Sequence, residues 1–91
     1  MMPETTSQAA LRDEILRAVH ERGAGKTVCP SEIARNLAGS DEKVWRLLMQ
    51  PIRRAAIELS DEGLVVIKRK GRPVAAADLK GIYRLSLPDE A

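Results

Sequence analysis

The fold of this chain is decided by residues 40–63, which read SDEKVWRLLMQPIRRAAIELSDEG. Apolar side chains recur along this stretch at the spacing of one helix face, at Val44, Leu48, Ile52, Ala55 and Leu59. The opposite face carries Lys43, Arg46, Gln50 and Arg53. The stretch therefore predicts a helix that covers a core with one face and presents three cations and an amide on the other.

The ends of this helix and two interior positions carry further signals. Ser40 can cap the first turn with its hydroxyl, and Gly63 follows the last apolar position. Pro51 has no amide hydrogen to donate to the carbonyl of Leu47, so we expect a kink there or a helix in two pieces. Ile57 falls on the polar face of a straight helix; a kink either rotates it inward or leaves it as an exposed contact.

Two shorter helices are predicted before residue 40. The first begins after Thr6 or Ser7 and runs to about Arg22, with apolar positions at helical spacing. The second begins at Pro30, because proline suits the first helical position, and Gly39 ends it. About three residues then separate the second helix from the third, which is typical of a helix-turn-helix.

After Gly63 the pattern changes from a helical to an alternating period, which indicates strands. Residues 64–70 and 82–87 are the two predicted strands of a hairpin. Residues 71–81 form its long tip, which is bounded by glycines. Residues 26–28, between the first two helices, predict one more short strand.

The order of elements is therefore helix, short strand, helix, turn, helix and hairpin. It predicts a mostly helical α+β fold: a winged helix-turn-helix with a three-helix core, a short strand and a C-terminal β-hairpin wing. The chain of 91 residues has room for one domain. We expect that domain at residues 7–88, with flexible tails at residues 1–6 and 89–91.

Charge is distributed unevenly along the chain. Residues 1–42 hold five basic and seven acidic side chains, whereas residues 43–91 hold ten basic and six acidic ones. The cations thus gather in the half that contains the third helix and the wing. This asymmetry indicates a polyanionic partner, although a solvated charged surface explains the same composition.

Several short motifs are also similar to a known family. They are GKT at 25–27, CPSEIA at 29–34, WR at 45–46, LM at 48–49, Gly63, KGRPV at 70–74 and RL at 84–85. Over roughly residues 11–88 the chain resembles a bacterial family of small winged-helix domains of unknown function. The resemblance implies a fold and supplies no assigned activity, so function must be argued from the site.

The third helix and the wing each carry candidate DNA-binding residues. In helix-turn-helix proteins the second helix of the motif enters the major groove, which here would present Lys43, Arg46, Gln50 and Arg53. Arginine can bind guanine through two hydrogen bonds and glutamine can bind adenine likewise. The wing adds Lys68, Arg69, Lys70 and Arg72. Its KGRP sequence is similar to the Arg-Gly-Arg-Pro core of AT-hook peptides, so we expect contact with phosphates or the minor groove.

These residues predict a double-stranded DNA-binding protein, either a transcriptional regulator or an accessory factor. The alternative is a non-enzymatic module that uses the same fold to dock on another protein. An exposed Ile57 and an apolar hairpin tip at residues 74–79 would favour that alternative. The chain could act as a monomer or a homodimer, since no helix remains that is dedicated to dimerisation.

Other classes of function find little support. No spacing indicates a nucleophile–base pair, so we expect no enzymatic activity and no catalytic residues. A phosphate-binding loop ending at Gly25 and Lys26 would need a glycine where His20 stands, so we expect no nucleotide cofactor. One Cys and one His cannot build a soft-donor metal site. Cys29 is expected to be a buried, unreactive thiol, with a low-pKa nucleophile as the alternative.

The absence of signal-peptide and membrane-span patterns predicts a cytoplasmic protein.

Overall fold

The computed structural model describes residues 7–75, 77 and 79–88. Its helices are α1 (Gln8–Arg22), α2 (Pro30–Ala38), α3 (Glu42–Trp45) and α4 (Met49–Asp61), and a 3-10 turn (Arg46–Leu48) joins α3 to α4. Its strands are β1 (Val66–Arg69), β2 (Arg72–Pro73) and β3 (Arg84–Ser86). The predicted tails at residues 1–6 and 89–91 lie outside the described residues.

The third predicted helix is in two pieces, and its break lies earlier than the position of the proline suggests. The 3-10 turn separates α3 from α4 before Pro51 is reached. Pro51 therefore falls in the first turn of α4, where its amide nitrogen needs no helical acceptor. The cap also differs from the prediction, because Oδ1 of Asp41, and not the hydroxyl of Ser40, accepts from the backbone amide of Lys43 at 3.0 Å.

The two preceding helices confirm the sequence pattern. Ser7 caps α1, since its Oγ accepts from the backbone amide of Ala10 at 3.1 Å. Gly39 ends α2 with a φ of 88°, a backbone conformation that favours glycine. Only residues 39–41 then separate α2 from α3, so the helix-turn-helix spacing is present.

The sheet is antiparallel, with the strand order β2-β1-β3. Val28, in the predicted short strand, forms an isolated bridge to Leu85 through two backbone hydrogen bonds of 2.7 and 2.9 Å. The predicted long hairpin tip is wrong, because β1 turns directly into β2 at Lys70 and Gly71. Both residues have a positive φ, of 53° and 80°, as in a type I′ turn. The chain then returns along the other side of β1 to form β3.

The core lies between the helices and the sheet. Four apolar residues of α4 are fully buried, namely Ile52, Ala55, Ala56 and Leu59. With them pack buried residues from the other elements, among them Leu11, Ile15, Val19, Val28, Ile33, Leu48, Ile67 and Leu85. Ile57 is half-buried and packs against this core, so it is not the exposed contact that was the other expectation.

These elements make a mostly helical α+β fold with a small antiparallel sheet, an architecture compatible with a winged helix. Within the described part of the chain, no helix combines the length and the apolar character needed to cross a bilayer.

Candidate nucleic-acid interface

Lys43 and Arg46 are the exposed cations at the start of the third helix. Lys43 lies in α3 and Arg46 begins the 3-10 turn. Neither side chain makes a salt bridge or a hydrogen bond with another described residue. Both side chains therefore lie on a short, exposed segment that ends at the 3-10 turn. Both remain available to a polyanion.

Gln50 and Arg53 lie together at the start of α4. Both line a shallow depression of about 290 Å³, together with Met49 and Tyr83. Gln50 is exposed, whereas Arg53 is half-buried and donates from Nη2 to the carbonyl oxygen of Leu79 at 2.8 Å. Arg53 therefore links α4 to the segment that leads into β3, a role that the sequence pattern did not indicate.

Arg69 of β1 binds the same segment from the wing. Its Nε donates to the carbonyl oxygen of Ile82 at 3.1 Å. Its guanidinium also lies against Gly81, where a Cβ atom would approach Nη2 to 3.4 Å. Residues 79–82 are thus held by one arginine from α4 and one from β1. Because both contacts reach this short segment, the start of α4 and the wing flank it.

The remaining wing candidates are placed on and beside the turn. Lys70 and Arg72 are exposed, and Lys68 is half-buried in β1. No hydrogen bond or ion pair to these three side chains is formed by the residues that the structure describes. The type I′ turn fixes the direction in which Lys70 and Arg72 leave the sheet, because its two central residues have defined positive φ angles.

Two exposed cations beside the candidate residues were not singled out from the sequence. Arg54 borders the next depression along α4, which Gln50, Arg53 and Ile57 also line. Lys80 lies in the held segment between α4 and the wing. Neither belongs to a recognisable motif, and their proximity to the candidate residues follows from tertiary structure alone.

The salt bridges of the described residues all use cations of α1. Arg12 pairs with Glu58 and Glu62, Arg17 pairs with Glu14 and Glu21, and Arg22 pairs with Glu32. The acidic partners in these pairs thus neutralise cations of the first helix. The candidate cations of the third helix and the wing take part in none of these pairs. The charge asymmetry seen in the sequence is thus accompanied by an asymmetry in pairing.

A separate groove adjoins this region. It has a volume of about 410 Å³ and is lined by Cys29, Pro30, Ser31, Trp45, Met49, Gly81, Ile82 and Tyr83. Trp45 packs partly against the core, and the guanidinium carbon of Arg35 lies 5.7 Å from its ring centroid. Ile82 is 86% exposed at the edge of the groove.

Cys29 differs from the sequence-based expectation, because it is only half-buried. Burial raises the pKa of its thiol, but the Ser31 hydroxyl, the backbone amides of Ser31 and Glu32 and the charge of Arg84 together bring the pKa below its ordinary value. The thiol Sγ lies 3.1 Å from the Ser31 hydroxyl. Among the residues that the structure describes, no three His, Cys, Asp or Glu side chains form a group that could hold a metal ion.

Comparison with known proteins identifies a family. No curated protein matches the chain. A family model described as a protein of unknown function (DUF3253) matches residues 8–88, which include every helix and strand described above. The chain therefore belongs to the DUF3253 family.

Proposed function

We propose that this protein is a bacterial, cytoplasmic winged-helix protein that binds double-stranded DNA as a transcriptional regulator or accessory factor. One observation carries the proposal. Among the described residues, the salt bridges involve only cations of α1, while Lys43, Arg46, Lys70 and Arg72 are exposed and unpaired. Exposed cations outside any described salt bridge, on a helix-turn-helix and on a wing, are the electrostatic feature that attracts a DNA duplex.

The two parts of the surface have different roles in this proposal. Lys43, Arg46 and Gln50 enter the major groove, where arginine and glutamine can distinguish bases. Lys68, Lys70 and Arg72 contact phosphates or the minor groove, which adds affinity with little sequence information. Arg53 and Arg69 hold the segment between these two parts and so fix their relative position.

The test is a titration of the full chain with duplex DNA at two or more salt concentrations. Neutralising about five to six phosphates gives a slope of log K against log salt of roughly −4 to −6. A double variant, Lys70→Glu with Arg72→Glu, should weaken binding strongly at every salt concentration. The control for each of these two substitutions taken singly is Lys26→Glu, another exposed cation, beside Val28 at the sheet edge opposite to β2. Absence of binding at about 50 mM salt overturns the proposal.

The alternative function is a non-enzymatic module that docks on a protein. The residues first expected to favour it serve the core instead, since Ile57 and Val74 pack against it and Leu79 is buried. The predicted apolar tip at residues 74–79 also includes Ala76 and Asp78, which lie outside the described residues. The exposed Ile82 and the groove beside Trp45 now favour docking. An Ile82→Ala substitution that leaves DNA affinity unchanged but abolishes association with a protein partner supports that alternative.

A further inference from the structure

Leu47 is an exposed leucine on the helical segment that the proposed function places in the major groove. It belongs to the 3-10 turn between α3 and α4, and its relative exposure is 53%. The apolar residues around it differ, because Leu48 is buried and Trp45 and Met49 pack against the core. Core packing therefore does not account for a leucine at this position.

Leu47 shares its side of the helix with candidate DNA-binding residues. At both ends of the 3-10 turn the backbone keeps right-handed helical angles, so helical spacing continues across the turn. Lys43 lies four positions before Leu47 and Gln50 lies three positions after it. Side chains at these spacings are neighbours on a helix surface. Both residues are exposed, as is Arg46, so an apolar side chain lies among the cations and the amide of this face.

We propose that Leu47 makes DNA binding depend on thymine, through contact with the C5-methyl group of that base in the major groove. The inference rests on the proposed function and adds a specificity-determining residue to the same surface. The leucine side chain has no hydrogen-bonding group, so it contributes to binding in the groove by apolar contact. Thymine presents a methyl group there, whereas cytosine presents an amino donor that leucine cannot satisfy.

Gln50 and Leu47 together favour a site that contains A·T pairs. Glutamine can bind adenine through two hydrogen bonds. The three positions between the two side chains correspond to a rise of about 5 Å along the helix. Successive base pairs lie about 3.4 Å apart along the duplex. The thymine that contacts Leu47 should therefore lie within about two base pairs of the adenine that Gln50 binds.

A protein partner is the other class of contact available to an exposed leucine. Surfaces that bind proteins usually expose a contiguous apolar patch. Leu47 is instead close to Lys43 and Arg46, which take part in none of the described salt bridges. The other large apolar side chains that are exposed in the described residues, Leu64 and Ile82, lie on other segments of the chain. These surroundings favour DNA.

The test replaces thymine by deoxyuridine, which lacks only the C5-methyl group. A duplex of high affinity is first selected from a randomised library with the full chain, and each of its thymines is then replaced singly. Fluorescence anisotropy at one salt concentration measures the affinity of each duplex. We expect replacement of at least one thymine to weaken binding about three- to fivefold, the loss that follows from exposing one methyl group. Unchanged affinity at every thymine overturns the proposal, as does a selection without any sequence preference.

Variants at two leucines assign the effect to Leu47. Leu47→Ala should bind the selected duplex more weakly and lose its sensitivity to deoxyuridine, because the methyl group then has no apolar partner. Leu47→Met retains an apolar side chain of similar volume and should keep the sensitivity. The matched control is Leu64→Ala, at another exposed leucine, which borders a separate depression with His20 and Leu87. This control should keep both the affinity and the sensitivity, and an equal loss from both alanine variants contradicts the proposal.

The outcomes separate this inference from the proposed function. Absence of duplex binding overturns both. Binding that depends on salt but on no thymine methyl group overturns the role of Leu47 alone. A Leu47→Ala variant that keeps the sensitivity of the unsubstituted protein also overturns that role and leaves protein contact as the function of this side chain. Urea unfolding followed by Trp45 fluorescence should give the same midpoint for both alanine variants, because both leucines are exposed.

Discussion

Arg53 of α4 donates a hydrogen bond to the carbonyl oxygen of Leu79, with 2.8 Å between the nitrogen and the oxygen. Arg69 of β1 makes the equivalent contact to the carbonyl oxygen of Ile82 at 3.1 Å. The segment that the two arginines hold, residues 79–82, begins with the buried side chain of Leu79 and is followed by the buried side chain of Tyr83. The position of the wing relative to α4 therefore depends on two arginines that the sequence pattern assigns to DNA.

The Arg53 contact predicts a loss of stability when the guanidinium is removed. Arg53→Ala leaves the carbonyl of Leu79 without its donor, and we expect unfolding to become easier by about 1–3 kcal/mol. Urea unfolding followed by the fluorescence of Trp45, the only tryptophan, measures this change. The neighbouring Arg54→Ala is the matched control, because Arg54 is exposed, and should change stability by less than about 0.5 kcal/mol. Equal effects of the two substitutions contradict the structural role of Arg53.

Substitutions in the wing and in the third helix should change DNA binding in different ways. Lys70→Ala and Arg72→Ala should each reduce the magnitude of the salt slope by about 1 and lower affinity equally for all sequences. Arg46→Ala should instead alter the preferred bases, because arginine reads guanine in the major groove. Binding to a randomised duplex library, with sequencing of the bound fraction, measures both effects. A sequence-independent loss from Arg46→Ala shows that this side chain contacts only phosphates.

The sequence was sufficient to predict the helices and the core face of α4, since periodicity alone identifies residues such as Leu48, Ile52 and Leu59. It did not locate the break between α3 and α4. Pro51 indicated a disruption, but an earlier 3-10 turn resolves the steric conflict by moving Pro51 into a first turn.

Tertiary contacts explain what the sequence left undetermined in the site. A run of cations on the wing does not show that Arg69 reaches a carbonyl thirteen positions away. The hydrogen bond of Arg53 to Leu79 spans twenty-six positions. Both contacts depend on the path that residues 79–82 take between β2 and β3, which no local pattern specifies. Cys29, likewise, is half-buried because the groove beside it is open, a property that no local pattern encodes.

Substitutions at the two central positions of the turn between β1 and β2 should change stability in opposite directions. Lys70 adopts a φ of 53°, which a non-glycine residue tolerates less well than asparagine or glycine. Lys70→Asn should therefore stabilise the protein by a few tenths of a kcal/mol, whereas Gly71→Ala should destabilise it by about 1–2 kcal/mol. Thermal and urea unfolding of both variants measure these changes. A stabilising Gly71→Ala excludes the type I′ geometry.

Acid stability depends in part on the pairing of α1 with the end of α4. The Arg12 guanidinium hydrogen-bonds to the Glu62 carboxylate and holds its pKa below the ordinary value of 4.5, although burial opposes this. The unfolded chain then binds more protons than the folded one at acid pH, so this contribution is present above about pH 4.5 and is lost as the pH falls through the folded pKa. Glu62→Gln should flatten the acid limb of a plot of stability against pH. Glu42→Gln, at an exposed position outside the described salt bridges, is the control and should leave that limb unchanged.

Tyr83 provides the most direct test of burial in the groove wall. It is the only tyrosine, so the ultraviolet absorbance of its phenolate reports one group. Burial should raise the midpoint of this titration to about 12 in the folded protein, against about 10 in urea. Because the folded pKa is the higher one, the contribution to stability is complete below about pH 10 and is lost as the pH rises through the folded value. A folded-state midpoint near 10 means that solvent reaches the hydroxyl and contradicts its burial.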